Sequence, residues 1–182
     1  MKSQRRLLTS LTLLVVAILL GCSATSRRSP DVSDSIRESL DRAGLSDIKV
    51  SQDRDAGVVT LTGQVPNDGD KSQAESIASS IATGQVVSNQ ISVVPPGAES
   101  EAKDVNTDLD KAIDKNLDAA LIQRGLNKDV KHDVRNGVVT LTGDVNSQSQ
   151  RAQVEKLASS IPNVKQVVNE LQVKHQKATS SK

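Results

Sequence analysis

The sequence GVVTLTG occupies residues 57–63 and recurs without change at residues 137–143, an offset of 80 residues. Its side chains alternate in polarity, so one side of a β-strand is apolar and the other is mixed. Further matches at an offset of 80 or 81 are residues 78–81 with 158–161, Val87 with Val167, Asn89 with Asn169, Val93 with Val173, Ile36 with Leu117, Leu40 with Leu121 and Gly44 with Gly125. A run of this length indicates a duplicated domain.

Each copy predicts the element order αββαβ. The first helix ends at Gly44, where a left-handed glycine followed by an apolar residue forms a C-cap. Two strands near 48–53 and 58–65 are joined by a tight turn, then a helix around 74–81 and a final strand over 86–94 follow. The second copy repeats these elements near 117–125, 130–134, 138–145, 154–161 and 165–173, with Asn-Gly at its hairpin turn.

The element order predicts the fold class α+β. A helical crossover makes the last two strands parallel, so each copy becomes a two-layer sandwich with a three-stranded mixed sheet and two helices on one face. We expect the two domains at residues 31–95 and 106–174, with a linker at 96–105. Residues 175–182 form a polar tail that we expect to be disordered.

The first 21 residues have the three parts of an export signal. Lys2, Arg5 and Arg6 precede an uncharged apolar stretch that ends in Leu-Leu-Gly before Cys22, the only cysteine. This end resembles the lipobox of bacterial lipoproteins, which implies cleavage before Cys22, diacylglycerol on its sulfur and an acylated amine. The alternative is an ordinary cleaved signal, or an uncleaved anchor, with an incidental cysteine.

Residues 22–30 form the predicted acylated tether, which is small and polar beyond Cys22. Ser23 after the cysteine resembles the pattern of lipoproteins sorted to the outer membrane in organisms with two membranes. Several acyl chains give lasting attachment, whereas one chain binds a bilayer only marginally. We therefore expect a lipid-anchored protein in the cell envelope, at the periplasmic face of the outer membrane.

The repeat resembles the BON domain, named for bacterial osmotically inducible and nodulation proteins. Its pattern, Gly-x-Val-x-Leu-x-Gly and a later Val-x-Asn-x-Leu-x-Val, starts at Gly137 and Val167 in the second copy. The first copy departs from it at Lys71, Ser72 and Gly84, where the second has Arg151, Ala152 and Val164. The resemblance implies phospholipid association and a role in envelope integrity or osmotic-stress tolerance.

Composition argues against several function classes. Phe, Tyr and Trp are absent, so no aromatic platform for stacking bases exists, and neither copy carries the concentrated basic face of a nucleic-acid binder. The two histidines, His132 and His175, cannot assemble a metal cluster between them, and we expect His132 to be an exposed strand residue. We expect no cofactor, no metal and no enzymatic activity.

The charge balance differs between the copies. Residues 31–95 hold 5 basic and 10 acidic side chains, whereas residues 106–174 hold 10 and 9. We therefore expect any contact with anionic phospholipid in the second copy, through Lys128, Lys131, Arg135, Arg151 and Lys156. A solvated face of mixed charge is the alternative for these residues. The rival function is an envelope scaffold that binds another protein and uses lipid only as its anchor.

Overall fold

The computed structural model describes residues 28–174 of the 182-residue chain. The predicted signal peptide at 1–21, the candidate lipidation site Cys22 and the predicted tail at 175–182 lie outside the described residues. The described part of the chain comprises the two copies of the repeat and the last residues of the predicted tether.

The first copy contains two helices and five short strands. Its sheet is built on the stretch GVVTLTG, which forms the central strand. In chain order the elements are α1 (Ser33–Arg42), β1 (Lys49–Asp53), β2 (Val58–Thr62), β3 (Gln64–Val65), α2 (Asp68–Ile81), β4 (Val86–Asn89) and β5 (Ser92–Val93).

The second copy repeats this order, with a longer first helix and an uninterrupted central strand. Its elements are α3 (Glu99–Gln123), β6 (Val130–Arg135), β7 (Val138–Val145), α4 (Gln148–Ser159), β8 (Gln166–Asn169) and β9 (Gln172–Val173). The predicted αββαβ order is thus present twice.

Both sheets are mixed, as the helical crossover predicted. The central strand of each copy pairs antiparallel with the strand before it, β1 with β2 and β6 with β7. It pairs parallel with the strand after the crossover helix, β2 with β4 and β7 with β8. The short strands β5 and β9 continue that parallel pairing after a break at residues 90–91 and 170–171.

The turns and helix ends follow local sequence. Gly44 has a φ of +78°, and the Leu45 amide bonds back to the Leu40 carbonyl at 2.9 Å, which is the predicted glycine C-cap. In the second hairpin, Asn136 and Gly137 both have positive φ, 51° and 81°, as a two-residue turn of this kind requires.

Each domain has its own aliphatic core between the sheet and its two helices. In the first domain Ile36, Leu40, Val59 and Leu61 are fully buried, and Ala74 and Ala78 of α2 pack on them. The second domain has the same arrangement, built on Leu117, Leu121, Val139, Leu141, Val154 and Ala158. The predicted α+β fold with one helix-covered sheet face is confirmed.

The structure differs from the sequence prediction at the linker. Residues 96–105 are the predicted linker, yet α3 begins at Glu99, and the Ala102 amide already bonds to the Ala98 carbonyl at 2.9 Å. Beyond Gly97 the stretch is rich in alanine, glutamate and lysine, which favour helix, and holds no proline or glycine. The separating segment is therefore only a few residues long.

Candidate functional site

The candidate lipid-contact residues Lys131 and Arg135 lie on β6, with their side chains on the sheet face that its helices leave open. Both are exposed, and the Arg135 Nε lies 3.0 Å from a carboxylate oxygen of Asp133. Lys128 is exposed in the loop before β6. These three cations lie on one strand and the loop that precedes it.

The other two candidates lie on α4, in the helical layer. Lys156 is exposed, whereas Arg151 is half-buried and donates from Nη2 to the Asn169 carbonyl at 2.7 Å. The guanidinium thus binds the backbone of its own domain at the break between β8 and β9. The structure therefore divides the five candidates between two faces and does not gather them into one patch.

Lys71 occupies the position of Arg151 in the first domain. Its Nζ donates to the Ile91 carbonyl at 2.8 Å, at the matching break between β4 and β5. Burial lowers the pKa of Lys71, and the nearby charge of Lys165 lowers it further. Both cations therefore have a structural partner in their own domain.

The repeated asparagines Asn89 and Asn169 connect strand to helix in both domains. Each side-chain amide donates to a glutamate of the crossover helix, Glu75 at 2.9 Å and Glu155 at 2.7 Å. Each side-chain oxygen accepts from the amide two residues later, Ile91 at 3.3 Å in the first domain. The two glutamates also match at the offset of 80, so the repeat carries a signal for this pairing that the periodicity of strands and helices does not show.

The prediction of an exposed His132 is wrong. Its side chain is only 11% exposed, and its Nε2 lies 3.0 Å from a carboxylate oxygen of Asp114 on α3. His132 pairs with Leu141 in the sheet, so it points to the helix-covered face. Within residues 28–174, no three His, Cys, Asp or Glu side chains are grouped closely enough to hold a metal ion.

The side chain of Gln166 joins the two domains by hydrogen bonding to the edge strand of the first domain, as a neighbouring strand would. Gln166 of β8 donates from Nε2 to the Val87 carbonyl at 2.7 Å and accepts at Oε1 from the Asn89 amide at 3.1 Å. These two backbone groups lie on the edge of β4 that faces away from β2. One carboxamide thus satisfies part of a sheet edge that would otherwise lack a partner.

A second contact between the domains is made by the turn at Asn136. Its Nδ2 donates to the Gln90 carbonyl at 2.7 Å, and its Oδ1 accepts from the Ser92 hydroxyl at 2.8 Å. The carboxylate of Asp110 on α3 accepts the backbone amides of Asn136 and Gly137, at 2.7 and 2.9 Å. Helix, turn and neighbouring domain therefore form one hydrogen-bonded network.

Apolar packing supports these polar contacts between the domains. Val58 of β2 is buried against Val138 of β7 and Val168 of β8, on the sheet faces opposite the helices. Burial raises the pKa of the nearby Glu170, and the charge of Asp53 in the first domain raises it further. We call the contact zone made by β4, β8 and the three valines Val58, Val138 and Val168 the seam.

The end of the predicted tether is bound to the first hairpin and is not free. The Ser29 amide donates to the Arg54 carbonyl at 2.9 Å, and the Arg54 Nε donates to the Ser29 carbonyl at 2.8 Å. Gln52 donates to the Pro30 carbonyl at 2.8 Å, and Arg28 pairs with Asp55 at 2.8 Å. Residues 28–32, which we call the strap, therefore belong to the folded domain.

Two cavities open beside the turn at Asn136. One, of about 170 Å³, has an apolar wall made by Leu109, Ile113 and Val164. The other, of about 240 Å³, is lined by Lys71, Lys165 and polar side chains of both domains.

In the part of the chain that the structure describes, no helix is long and apolar enough to cross a bilayer.

Comparison with known proteins yields a family match and a curated relative. The sequence pattern of the BON domain matches residues 30–95 and 106–175. The Osmotically-inducible protein Y of Escherichia coli (strain K12) is 28% identical over 137 residues, which cover 74% of this chain and 67% of that protein.

Solved structures from Chlamydia trachomatis also match. The C-terminal domain of CdsD, described as the structural protein of the type III secretion system, aligns with 79% of this chain and 97% of its own, at a TM-score of 0.34 and 15% identity. A second CdsD structure covers 79% of this chain and 92% of its own, at a TM-score of 0.36 and 15% identity.

Proposed function

This chain belongs to the BON domain family, and from that membership we propose that it is an envelope lipoprotein that associates with phospholipid and supports envelope integrity or osmotic-stress tolerance. The observation that carries the proposal is the likeness to Osmotically-inducible protein Y across both domains, because that relative is named for osmotic induction. The proposed location is the periplasmic face of the outer membrane.

Attachment would be through acyl chains on Cys22. The cysteine follows an apolar stretch of the length and ending of a lipoprotein signal. Several acyl chains on one residue suffice for lasting attachment, since each buried CH₂ contributes about 0.8 kcal/mol. The described domains then need no membrane-crossing segment of their own.

Contact between the domains and phospholipid would be electrostatic and weak. Lys128 and Lys131 are exposed on the second domain, and a lysine near an anionic surface contributes about 1 kcal/mol. Arg135 is paired with an acid, and Arg151 holds its own backbone, so both contribute less. Because the chain has no Trp or Tyr, we expect no deep insertion at the interface.

Mass spectrometry of the mature N-terminus, with membrane fractionation of wild type and Cys22→Ala, tests the anchor. We expect a tryptic peptide beginning at Cys22 with the added mass of the acyl chains. We also expect wild type in the membrane fraction and Cys22→Ala in the soluble fraction. A soluble wild type with an unmodified cysteine contradicts the proposal.

Flotation with vesicles tests phospholipid association apart from the anchor. The non-acylated fragment 23–182 is mixed with phosphatidylglycerol vesicles at low salt, beside a Lys128→Glu and Lys131→Glu double variant. We expect the wild-type fragment to float, less so at high salt, and the double variant to float less. A Lys103→Glu and Lys115→Glu double variant on α3 is the matched control. No flotation of the wild-type fragment removes lipid recognition from the proposal.

The second candidate function is a scaffold that binds another envelope protein. It is favoured by exposed apolar side chains at the start of α3, where Val105 is 58% and Leu109 38% exposed beside the apolar cavity. Crosslinking in membranes with Val105→Ser and Leu109→Ser variants distinguishes the two functions. Loss of one specific crosslinked protein, with unchanged flotation of the fragment, favours the scaffold. In either case we propose no catalytic role, cofactor or nucleic-acid partner.

A further inference from the structure

The strap brings the candidate anchor close to one end of the first domain. Its first residue, Arg28, is paired with Asp55 in the turn between β1 and β2. Only six residue steps separate Arg28 from Cys22, so the connection spans at most roughly 20 Å, at about 3.3–3.6 Å per residue. A free tether ending at residue 30 would reach farther and could leave any side of the domain.

The seam has two distinct ends along β4. Its first end lies at the β1–β2 turn, because the Val86 amide bonds to the Gly57 carbonyl at 2.9 Å. Its second end lies at Gln90, which accepts from Asn136 in the turn between β6 and β7. The strand rises about 3.3 Å per residue, so these ends are roughly 13 Å apart.

The second domain runs the opposite way along the seam. Its β6–β7 turn is at the second end. From there β8 places Gln166 beside Val87 and Asn89, and two residues later Val168 packs with Val58, the strand partner of Val86 at the first end. Because β7 and β8 are parallel, β7 also extends toward the first end, over eight residues or roughly 23 Å. The Asp144 amide near the end of β7 bonds to the Asp129 carbonyl at 3.1 Å, which places the loop with Lys128 there too. Asp53, which pairs with Val58 at the first end, lies close enough to Glu170 to raise the pKa of its carboxyl group. Glu170 follows β8, so this proximity agrees with the same direction.

We propose that the strap orients the anchored protein, so that the β1–β2 turn and the loop before β6 face the phospholipid headgroups. The β6–β7 turn, the start of α3 and both cavities then face away from the bilayer. This inference rests on the proposed acylation of Cys22. It also separates the cations, since Lys128 and Lys131 lie near the headgroups and Arg135 does not.

The lack of other cysteines makes this orientation measurable. In the full acylated protein the Cys22 sulfur is a thioether, so a cysteine introduced by Ala56→Cys or Val105→Cys is the only free thiol. Ala56 is exposed in the β1–β2 turn, and Val105 is exposed at the start of α3. Each is labelled with the same fluorophore, and energy transfer to a headgroup-labelled lipid is measured in vesicles of phosphatidylethanolamine and phosphatidylglycerol.

We expect clearly higher transfer from position 56 than from position 105. Adding Gln52→Ala and Arg54→Ala, which remove the hydrogen bonds that these two side chains make to the strap, should reduce that difference. Adding Arg37→Ala, an exposed arginine on α1, should leave it unchanged. Acylated protein with equal or reversed transfer overturns the orientation alone. Protein without acyl mass on Cys22 overturns the anchored function and the orientation together.

Discussion

Gly143 lies in β7 directly beside the backbone of Asp129, which leaves no room for a side chain. Its φ is +113°, and a Cβ at this position would collide with the Asp129 carbonyl oxygen. Gly125 also has a positive φ, +66°, but a Cβ there meets nothing within 4 Å. A side chain at Gly125 would therefore meet only the cost of the backbone conformation. A side chain at Gly143 would meet that cost and the cost of the close packing as well.

We predict that Gly143→Ala lowers the free energy of unfolding by more than about 2 kcal/mol, because the Asp129 backbone must move. Gly125→Ala should cost about 1 kcal/mol, which is the conformational penalty alone. Urea denaturation of the two variants measures both values. Equal losses in the two proteins would show that the contact with Asp129 is not a constraint.

Glu170 should make the stability of the protein depend on pH. Since burial first and Asp53 second raise the pKa of Glu170 above that of an unfolded glutamate, the folded chain holds more protons between the two values. The contribution of Glu170 to the free energy of unfolding therefore falls as pH rises through this window. Below the unfolded pKa of about 4.3 the carboxyl group is mostly protonated, so the cost of burying its charge is absent. Glu170→Gln should raise the urea midpoint at pH 7 and not at pH 4.

The control for this prediction is Glu38→Gln, which neutralises an exposed carboxylate on α1, far along the chain from the seam. It should change the midpoint little at either pH. A Glu170→Gln midpoint that is unchanged at pH 7 would show that the carboxylate is not penalised by the folded state.

At the scale of elements, α3 does more than cover its own sheet. Its C-terminal half packs Leu117 and Leu121 into the core, as the sequence pattern predicted. Its N-terminal half continues past the core and holds the β6–β7 turn through Asp110. The helix therefore connects the core of the second domain to the seam.

We predict that Asp110→Ala lowers the free energy of unfolding by about 1–2 kcal/mol, because two backbone amides lose a charged acceptor. Amide exchange at Asn136 and Gly137, followed by NMR, should become faster. Asp108→Ala is the matched control, since that carboxylate is exposed and pairs with Lys111 at 3.3 Å on the same helix. Unchanged exchange in the Asp110 variant would contradict the role given to this side chain.

At the scale of the whole molecule, the seam decides whether the two domains act as one body. Among residues 28–174 its polar contacts are few, and the carboxamide of Gln166 supplies two of them. A buried apolar contact of three valines lies beside it. We therefore expect the docking of the domains to be sensitive to single substitutions.

We predict that Gln166→Ala exposes the Asn89 amide, because that group donates to Gln166 across the seam at 3.1 Å. Hydrogen exchange at Asn89 should accelerate, whereas the Gln90 amide, bonded to the Leu61 carbonyl at 2.9 Å within the first domain, should stay protected. Gln123→Ala, at the exposed end of α3, should change neither amide. Protection of Asn89 in the Gln166 variant would mean that another group covers this edge.

The duplicated fold can be read from the amino-acid sequence, since strand alternation, helix periodicity and glycine turns are local signals that occur in both copies. It predicted the mixed sheets and the glycine C-cap at Gly44, and the structure confirms both. The predicted lipidation of Cys22 lies outside the described residues and stays a prediction.

How the domains meet and where the predicted tether ends became visible only in the folded chain. Three features depend on contacts between residues far apart in the chain. They are the burial of His132 beside α3, the bonding of Gln166 to the edge of β4, and the binding of residues 28–32 to the hairpin. Such contacts leave no periodic pattern, because each one depends on the position of a whole domain or element. The relative placement of the two domains is therefore a property of the assembled molecule.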